Sequence, residues 1–239
     1  MNIALIGYGK MGHTIERIAA ERGHRIVLTI TSANRDELTP EHLRRADVAI
    51  EFTAPHAAPG NVAACLKAGI PVVCGTTGWN DGLDAAAALA REQGGAFLHA
   101  SNFSIGVNIF FAVNQQLARL MAGQEGYRAS IEEVHHLQKK DAPSGTAISL
   151  AEQLVSASGS LHGWRLAEEG PEEGELPITA VRAEGVPGTH RISWTSAVDT
   201  IDIVHTAHNR DGFALGAVLA AEFIAGKQGV FRMSDVLGL

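Results

Sequence analysis

Cysteine is scarce in this chain: Cys65 and Cys74 are the only two among 239 residues. Each stands beside an apolar residue, and neither has a second cysteine or a histidine at a spacing typical of zinc ligands. We interpret both as small buried side chains of a protein in a reducing compartment, and we expect no zinc site.

Long apolar runs and an excess of positive charge are also missing. No window approaches the apolar length of a membrane span, and no basic-then-apolar leader precedes the first strand-like segment. The formal net charge of −7 gives no reason to expect a nucleic acid or an anionic membrane as a partner. We therefore expect a soluble cytoplasmic protein of one large domain or two modest ones, if the chain begins at its natural start.

The chain begins with an apolar run at residues 3–6, which predicts a buried parallel strand. Gly7, Gly9 and Gly12 follow as Gly-x-Gly-x-x-Gly and open a segment with helical periodicity. In this context the glycines permit a tight turn, the close approach of a dinucleotide pyrophosphate and close helix–strand packing. A purely structural turn is the alternative, but the flanking strand and helix favour a dinucleotide.

The second strand, predicted at residues 26–30, should end where the cofactor is selected. An acid there would bind the ribose 2′-hydroxyl of NAD, but this chain has Thr31, Ser32 and, a little further on, Arg35. A 2′-phosphate would meet no carboxylate, and hydroxyl groups with Arg35 could bind it. We therefore favour NADPH, with NADH also possible. Alternatively, Arg35 is only a solvated loop residue.

Strands are predicted at residues 48–52, 72–74 and 96–100, with helices at 61–68 and 83–91 between them. Small and hydroxyl residues follow the strand at 72–74 as Gly75, Thr76 and Thr77. Ligands of parallel sheets bind at the carboxyl ends of the strands. A plain turn is the competing interpretation for these residues.

The second half of the chain contains a stretch rich in cationic and polar groups, residues 132–146. Two histidines and two lysines precede a Pro-Ser-Gly-Thr turn, and a helix is predicted at 147–155 with Ser144 as its N-cap. Free helix amides, the helix dipole, a hydroxyl and ammonium groups suit a carboxylate or a phosphate. A cationic loop with an ordinary helix cap is the alternative.

This stretch closely resembles the signature of the dihydrodipicolinate reductase family, acidic-x-His-His-x-x-Lys-x-Asp-Ala-Pro-Ser-Gly-Thr. The resemblance implies NAD(P)H-dependent reduction of 4-hydroxy-tetrahydrodipicolinate to tetrahydrodipicolinate in diaminopimelate and lysine biosynthesis. It implies that His135 and Lys139 are the catalytic acid/base pair. It also implies that a substrate carboxylate is held with the help of His136, Ser144, Gly145 and Thr146.

The resemblance extends over nearly the whole chain. It implies cofactor contacts by the first glycine loop, the turn after the fourth strand and the segment after the fifth, namely Gly7, Gly9, Lys10, Met11, Gly12, Gly75, Thr76, Thr77, Ser101, Asn102 and Phe103. The sequence departs from many family members at Thr31, where they have an acid. Residues 182–190 resemble a further family segment with looser glycine spacing, and we assign them no catalytic role.

The predicted fold is α/β, with a Rossmann-like dinucleotide-binding domain at residues 1–104 and 210–239. Residues 105–209 would form an α+β substrate-binding and tetramerisation domain with an open mixed sheet. Its strands are predicted at 130–134, 178–182, 190–196 and 200–207, its helix at 109–122 and a polar loop at 167–176. Too few helices are available to cover both sheet faces, so burial by another subunit is expected. The family is usually homotetrameric.

Three other functions remain open. One is a different dehydrogenase acting on an imino acid, and a second is a cofactor sensor without turnover. The third is a metalloenzyme using His135, His136 and Asp141. Adjacent histidines on a strand point to opposite faces and chelate one ion poorly, so we expect no metal.

Overall fold

The computed structural model describes residues 1–170 and 172–239. The chain forms two compact units, one of Met1–Asn108 with Asp211–Leu239 and the other of Ile109–Arg210. Within the described ranges, no helix has both the length and the apolar character that crossing a membrane requires.

Within the described residues, eleven strands and eight α-helices are numbered in chain order. The strands are β1 (Asn2–Ile6), β2 (Arg25–Ile30), β3 (Val48–Glu51), β4 (Val72–Cys74), β5 (Ala96–His99), β6 (Arg128–His135), β7 (Gly163–Leu166), β8 (Glu175–Arg182), β9 (Gly188–Thr195), β10 (Thr200–Ala207) and β11 (Gly229–Phe231). The helices among the described residues are α1 (Lys10–Glu21), α2 (Pro40–Leu43), α3 (Ala58–Lys67), α4 (Leu83–Glu92), α5 (Ile105–Met121), α6 (Gly145–Ala157), α7 (Asp211–Ile224) and α8 (Met233–Leu237).

The first unit is built on a six-stranded parallel sheet with the order β11-β5-β4-β3-β1-β2. Successive residues of β1 point to opposite faces, so Ala4 and Ile6 join one apolar core while Ile3 and Leu5 join the other. The first core includes α3 and α4, and the second includes α1 and α7. Burial on both faces explains why the strand sequences are continuous apolar runs.

The second unit is a five-stranded mixed sheet with the order β10-β9-β6-β8-β7. Strand β9 is antiparallel to β6 and β10, whereas β8 is parallel to β6 and β7. Helices α5 and α6 pack with Ile131, Ile178 and Ile192 in a single core on one face of this sheet. The alternation of side chains places Val134 and Val204 on the opposite face.

The predicted α/β architecture with a Rossmann-like sheet and a second mixed sheet is confirmed. Several element bounds differ from the prediction. Helix α5 begins at Ile105 rather than residue 109, and β8 begins at Glu175 inside the predicted loop 167–176. The edge strands β7 and β11 were not predicted, because four and three residues are too few for an apolar alternation to identify a strand.

Candidate active site

The turn between β1 and α1 is held close to the end of β3 by its glycines. Gly7 has φ +97°, and a Cβ there would lie 2.0 Å from the carbonyl oxygen of Phe52. A Cβ on Gly12 would lie 2.5 Å from the carbonyl oxygen of Gly7. Gly9 is the N-cap of α1 and makes no side-chain cap hydrogen bond, so first-turn amides of α1 face outward. Only glycine fits at positions 7 and 12, and the turn therefore presents a surface of backbone atoms to a ligand.

An open cavity of about 400 Å³ lies in front of this turn. It is lined by the glycine turn, the ends of β3 and β4 and the residues that follow them: Gly9, Lys10, Met11, Gly12, Phe52, Thr53, Pro55, Gly75, Thr76 and Thr77. Seven of these were singled out in the sequence. Phe52, Thr53 and Pro55 were missed, although they follow β3 at the same sheet edge and the rule applied to β4 would have found them.

Thr76 is fixed by a buried carboxylate beneath the cavity. Its hydroxyl donates to Glu51 Oε2 at 2.7 Å and accepts from the Thr53 amide at 2.7 Å. Its carbonyl accepts from Trp79 Nε1 at 2.7 Å and contacts His99 Nε2 at 3.1 Å. Burial lowers the pKa of His99, which favours its neutral form. The threonine is therefore held from both its side chain and its backbone.

In the described part of the chain, the other predicted cofactor residues are not among those that line this cavity. Thr31 begins a loop after β2 that is ordered by Asn34, whose Oδ1 accepts from the Thr31 amide at 2.7 Å. Ser32 belongs to this loop, and Arg35 follows it in a short 3-10 helix. Ser101, Asn102 and Phe103 follow β5; the ring of Phe103 is buried in the apolar core, 5.5 Å from that of Phe52.

In the second unit, β6 carries two titratable side chains on its inner face. Glu133 and His135 alternate with outward residues and are both buried. Glu133 Oε2 contacts His135 Nδ1, while Glu133 Oε1 accepts from Arg182 at 3.0 Å and from the Ser144 amide at 3.3 Å. Burial lowers the pKa of His135, and the cations of Lys139 and Arg182 lower it as well, against an opposing effect of Glu133.

Helix α6 begins immediately beside this carboxylate. Ser144 is its N-cap, as predicted, and its hydroxyl accepts from the Ala147 amide at 3.2 Å. The same hydroxyl contacts His190 Nε2 at 3.0 Å. Gly145 and Thr146 form the first residues of the helix, and a Cβ on Gly145 would meet open space.

Lys139 and His136 lie in the loop between β6 and α6. Lys139 Nζ donates to both oxygens of Asp141, at 2.9 and 2.7 Å, and this ion pair lowers the pKa of Asp141. The Lys139 amide donates to the carbonyl of His136 at 3.0 Å, which closes a turn after β6. Strand β6 ends at His135, so His136 is free of the strand alternation.

Three residues to which the sequence patterns give no role, Glu133, Arg182 and His190, belong to this cluster. The detectable signal was a charged residue at an inward position of an amphipathic strand, Ile131-x-Glu133-x-His135. Glu133, His135 and His190 each offer a ligand atom within 4.8 Å of the others. Their contacts with Arg182 and Ser144 account for this grouping without an ion.

Comparison with known proteins identifies the family. The model of the dihydrodipicolinate reductase N-terminus matches residues 1–103, and that of the C-terminus matches residues 106–237. A 4-hydroxy-tetrahydrodipicolinate reductase of Christiangramia forsetii is 51% identical over 239 residues, covering 99% of this chain and 98% of the relative. One from Neisseria meningitidis serogroup C is 35% identical, covering 94% and 84%.

A solved structure shares the fold. The dipicolinate-bound dihydrodipicolinate reductase from Paenisporosarcina sp. TG-14 superposes with a TM-score of 0.78 at 23% identity, covering 97% of each chain. The chain belongs to the dihydrodipicolinate reductase family, the NAD(P)H-dependent 4-hydroxy-tetrahydrodipicolinate reductases of diaminopimelate and lysine biosynthesis.

Proposed function

We propose that the first unit is the dinucleotide-binding domain and that it prefers NADPH, with NADH also accepted. The cradle formed by Gly7, Gly12 and Gly75 supports this proposal, because a side chain at any of them would collide with neighbouring groups. The predicted residues of the cavity would contact the cofactor, and so would Ser101, Asn102 and Phe103 after β5. Thr31, Ser32 and Arg35 would contact its 2′-phosphate. No carboxylate stands at Thr31 to repel that phosphate. The bound cofactor supplies the hydride.

The second unit, in this proposal, binds the substrate, a small dicarboxylate. The first turn of α6 offers backbone amides and a favourable dipole to one carboxylate, with His136, Ser144, Gly145 and Thr146 around it. The relative from Paenisporosarcina was solved with dipicolinate, a dicarboxylate. One observation carries the proposal. Glu133 contacts both His135 and the N-terminus of α6, and Arg182 joins Glu133 to the loop that carries Lys139.

We assign the proton donor to Lys139 and an orienting role to His135. Burial favours the neutral form of His135 by lowering its pKa, and its Nδ1 faces a carboxylate, so Nε2 is left as an acceptor. Lys139 is an ammonium donor next to it, and its charge acts on His135 and His190. Loss of water from the substrate would give a conjugated imine, and reduction would then require this proton.

We further propose that the protein is a cytoplasmic homotetramer assembled through the open face of the second sheet. The two cysteines are free and buried, which suits a reducing compartment. The open face carries valines of three strands, Val134, Val181 and Val204.

The cofactor proposal is tested by feeding the enzyme freshly generated 4-hydroxy-tetrahydrodipicolinate and following the loss of nicotinamide absorbance. A higher kcat/KM with NADPH than with NADH is expected. A clear preference for NADH would contradict the role given to Thr31, Ser32 and Arg35.

The proton-donor proposal is tested with Lys139→Ala, and Lys140→Ala is the matched control. Loss of a general acid should lower kcat by about 10²–10⁴-fold, whereas the exposed neighbour should matter little. Thr146→Val should act mainly on KM because it removes a substrate contact. Unchanged kcat in Lys139→Ala would remove this lysine from the acid role.

A further inference from the structure

Glu133 is a carboxylate with no exposed surface, and its contacts come from three separate elements. It contacts His135 on its own strand, the Ser144 amide at the start of α6, and the guanidinium of Arg182 at the end of β8. Each of the first two belongs to the proposed site. A buried charge of this kind requires a counter-charge and several hydrogen bonds, and it receives both here.

Arg182 extends the same connection to the loop that carries Lys139. Its Nη2 donates to the carbonyl of Asp141 at 2.6 Å, and its Nε donates to the carbonyl of Lys139 at 3.4 Å. The planar fork of a guanidinium can hold a carboxylate and two carbonyls at fixed angles, which an ammonium cannot. One side chain therefore ties the Lys139 loop to the carboxylate that orients His135.

We propose that Glu133 and Arg182 are positioning residues that fix His135, the Lys139 loop and the first turn of α6 relative to one another. Glu133 also sets the tautomer of His135: an ionised carboxylate can only accept, so the imidazole proton lies on Nδ1 and Nε2 faces the other way. Gly188 leaves room for that edge of the ring, since a Cβ there would lie 3.0 Å from Nε2.

This inference rests on the proposed roles of His135 and Lys139, but it differs from a general contribution to stability. A buried ion pair is often no more stabilising than apolar residues of the same size. What Glu133 and Arg182 provide is directed hydrogen bonds to groups of the site. Their loss should therefore act on turnover and on the histidine tautomer, in protein that remains folded.

The first experiment compares Arg182→Ala and Arg182→Lys with Arg165→Ala. Arg165 is a matched control, because it lies in the same sheet, is 26% exposed against 20% for Arg182, and pairs with Glu175 at 2.8 Å. We expect Arg182→Ala to lower kcat/KM by roughly 10²-fold, since a displacement near 1 Å of reacting groups has that effect. Arg182→Lys should recover little of it, and NADPH affinity should be unchanged in all three variants.

The second experiment measures the tautomer of His135 in the natural protein and in Glu133→Gln. Long-range ¹⁵N–¹H spectra of the histidine rings, with His135→Gln to assign the signal, should show His135 protonated at Nδ1 in the natural protein. In Glu133→Gln the tautomers should mix, and the pKa of His135 should fall further, because Glu133 is the group that raises it.

Two results would overturn the inference: folded Arg182→Ala with the activity of Arg165→Ala, or an unchanged tautomer in Glu133→Gln. If Arg182→Ala does not fold, the activity of Arg182→Lys and the tautomer in Glu133→Gln test the inference by the same criteria.

Failure of the proposed site itself would give a different result. Lys139→Ala and His135→Ala would then keep full activity, and dipicolinate would bind them as it binds the natural protein.

Discussion

His190 shows how the fold controls a single ionisable side chain. It is 5% exposed, and burial together with the nearby His135, His205 and Lys139 lowers its pKa to about 3. Its ordinary value is about 6.5. Between these values the unfolded chain binds a proton that the folded chain does not, so the free energy of unfolding must decrease as the pH falls through this window. Above about pH 6.5 both states are neutral and His190 adds no pH dependence.

We expect His190→Gln to flatten that dependence. The slope lost should be at most about 1.4 kcal/mol per pH unit between the two pKa values. Urea unfolding from pH 7 down to the acid limit measures it, with the exposed His208→Gln as control. Equal slopes in the natural protein and His190→Gln would show that this histidine is protonated in the fold.

At the residue scale, the sequence predicted local features and missed distant pairs. Ser144 was predicted as an N-cap from its immediate neighbours, and the structure confirms it. The pairing of Glu133 with Arg182 joins residues 49 positions apart. It depends on the parallel register of β6 and β8, in which His135 stands opposite Arg182. The register of two strands cannot be predicted from a local sequence pattern. The inward position of the charged Glu133 did indicate that it has a buried partner.

At the scale of elements, helix α7 packs unusually close to the segment that follows β5. A Cβ on Gly216 would lie 1.7 Å from the carbonyl oxygen of Phe103, whereas on Gly212 it would meet only the Ser104 hydroxyl at 3.8 Å. Both glycines belong to the same helix. The close approach lets Ala217 and Ala221 join the apolar core.

Gly216→Ala should therefore destabilise the protein by about 1–3 kcal/mol or more through overpacking. Gly212→Ala, the control, should be neutral or slightly stabilising because alanine favours helix by up to about 1 kcal/mol. Denaturant unfolding of both variants gives the comparison. A Gly216→Ala protein as stable as Gly212→Ala would mean that the helix shifts without cost.

The elements that the sequence predicted best are those buried on both faces. The apolar runs at residues 3–6 in β1 and 48–50 in β3 are continuous because helices cover both sides of the sheet. Strand β7 has four partly buried residues at a sheet edge, and β11 has two partly buried residues on either side of the exposed Val230. Their strand conformation comes from pairing with β8 and β5, and that pairing is a tertiary property.

For the whole molecule, the open sheet face of the second unit is where we expect subunits to meet. Val204 lies on this face in the edge strand β10 and is 48% exposed, next to Arg191 in the register. Val198 is 86% exposed in the turn between β9 and β10. The two exposed valines therefore have the same side chain but different locations, one on the open sheet face and one in a turn.

Val204→Lys should dissociate the proposed tetramer, since it adds a cation beside Arg191 to a surface that the proposed assembly must desolvate. Val198→Lys should leave it intact. Light scattering after size exclusion gives the mass as a multiple of the 25.2 kDa chain. A natural protein that runs as a single chain would refute the assembly proposal, and a Val204→Lys tetramer would refute the interface.

The division of the first unit into two stretches of sequence, Met1–Asn108 and Asp211–Leu239, has a consequence for biosynthesis. During translation the ribosome delivers β1 to β5 and α1 long before α7 and β11, so the sheet face that α1 and α7 share is only partly covered until Val218, Ile224 and Met233 are made. The intervening unit has its own apolar core and can become compact meanwhile. Nascent chains halted before residue 211 should therefore attract chaperones through the part of the sheet that α7 leaves uncovered, and they should bind nucleotide poorly.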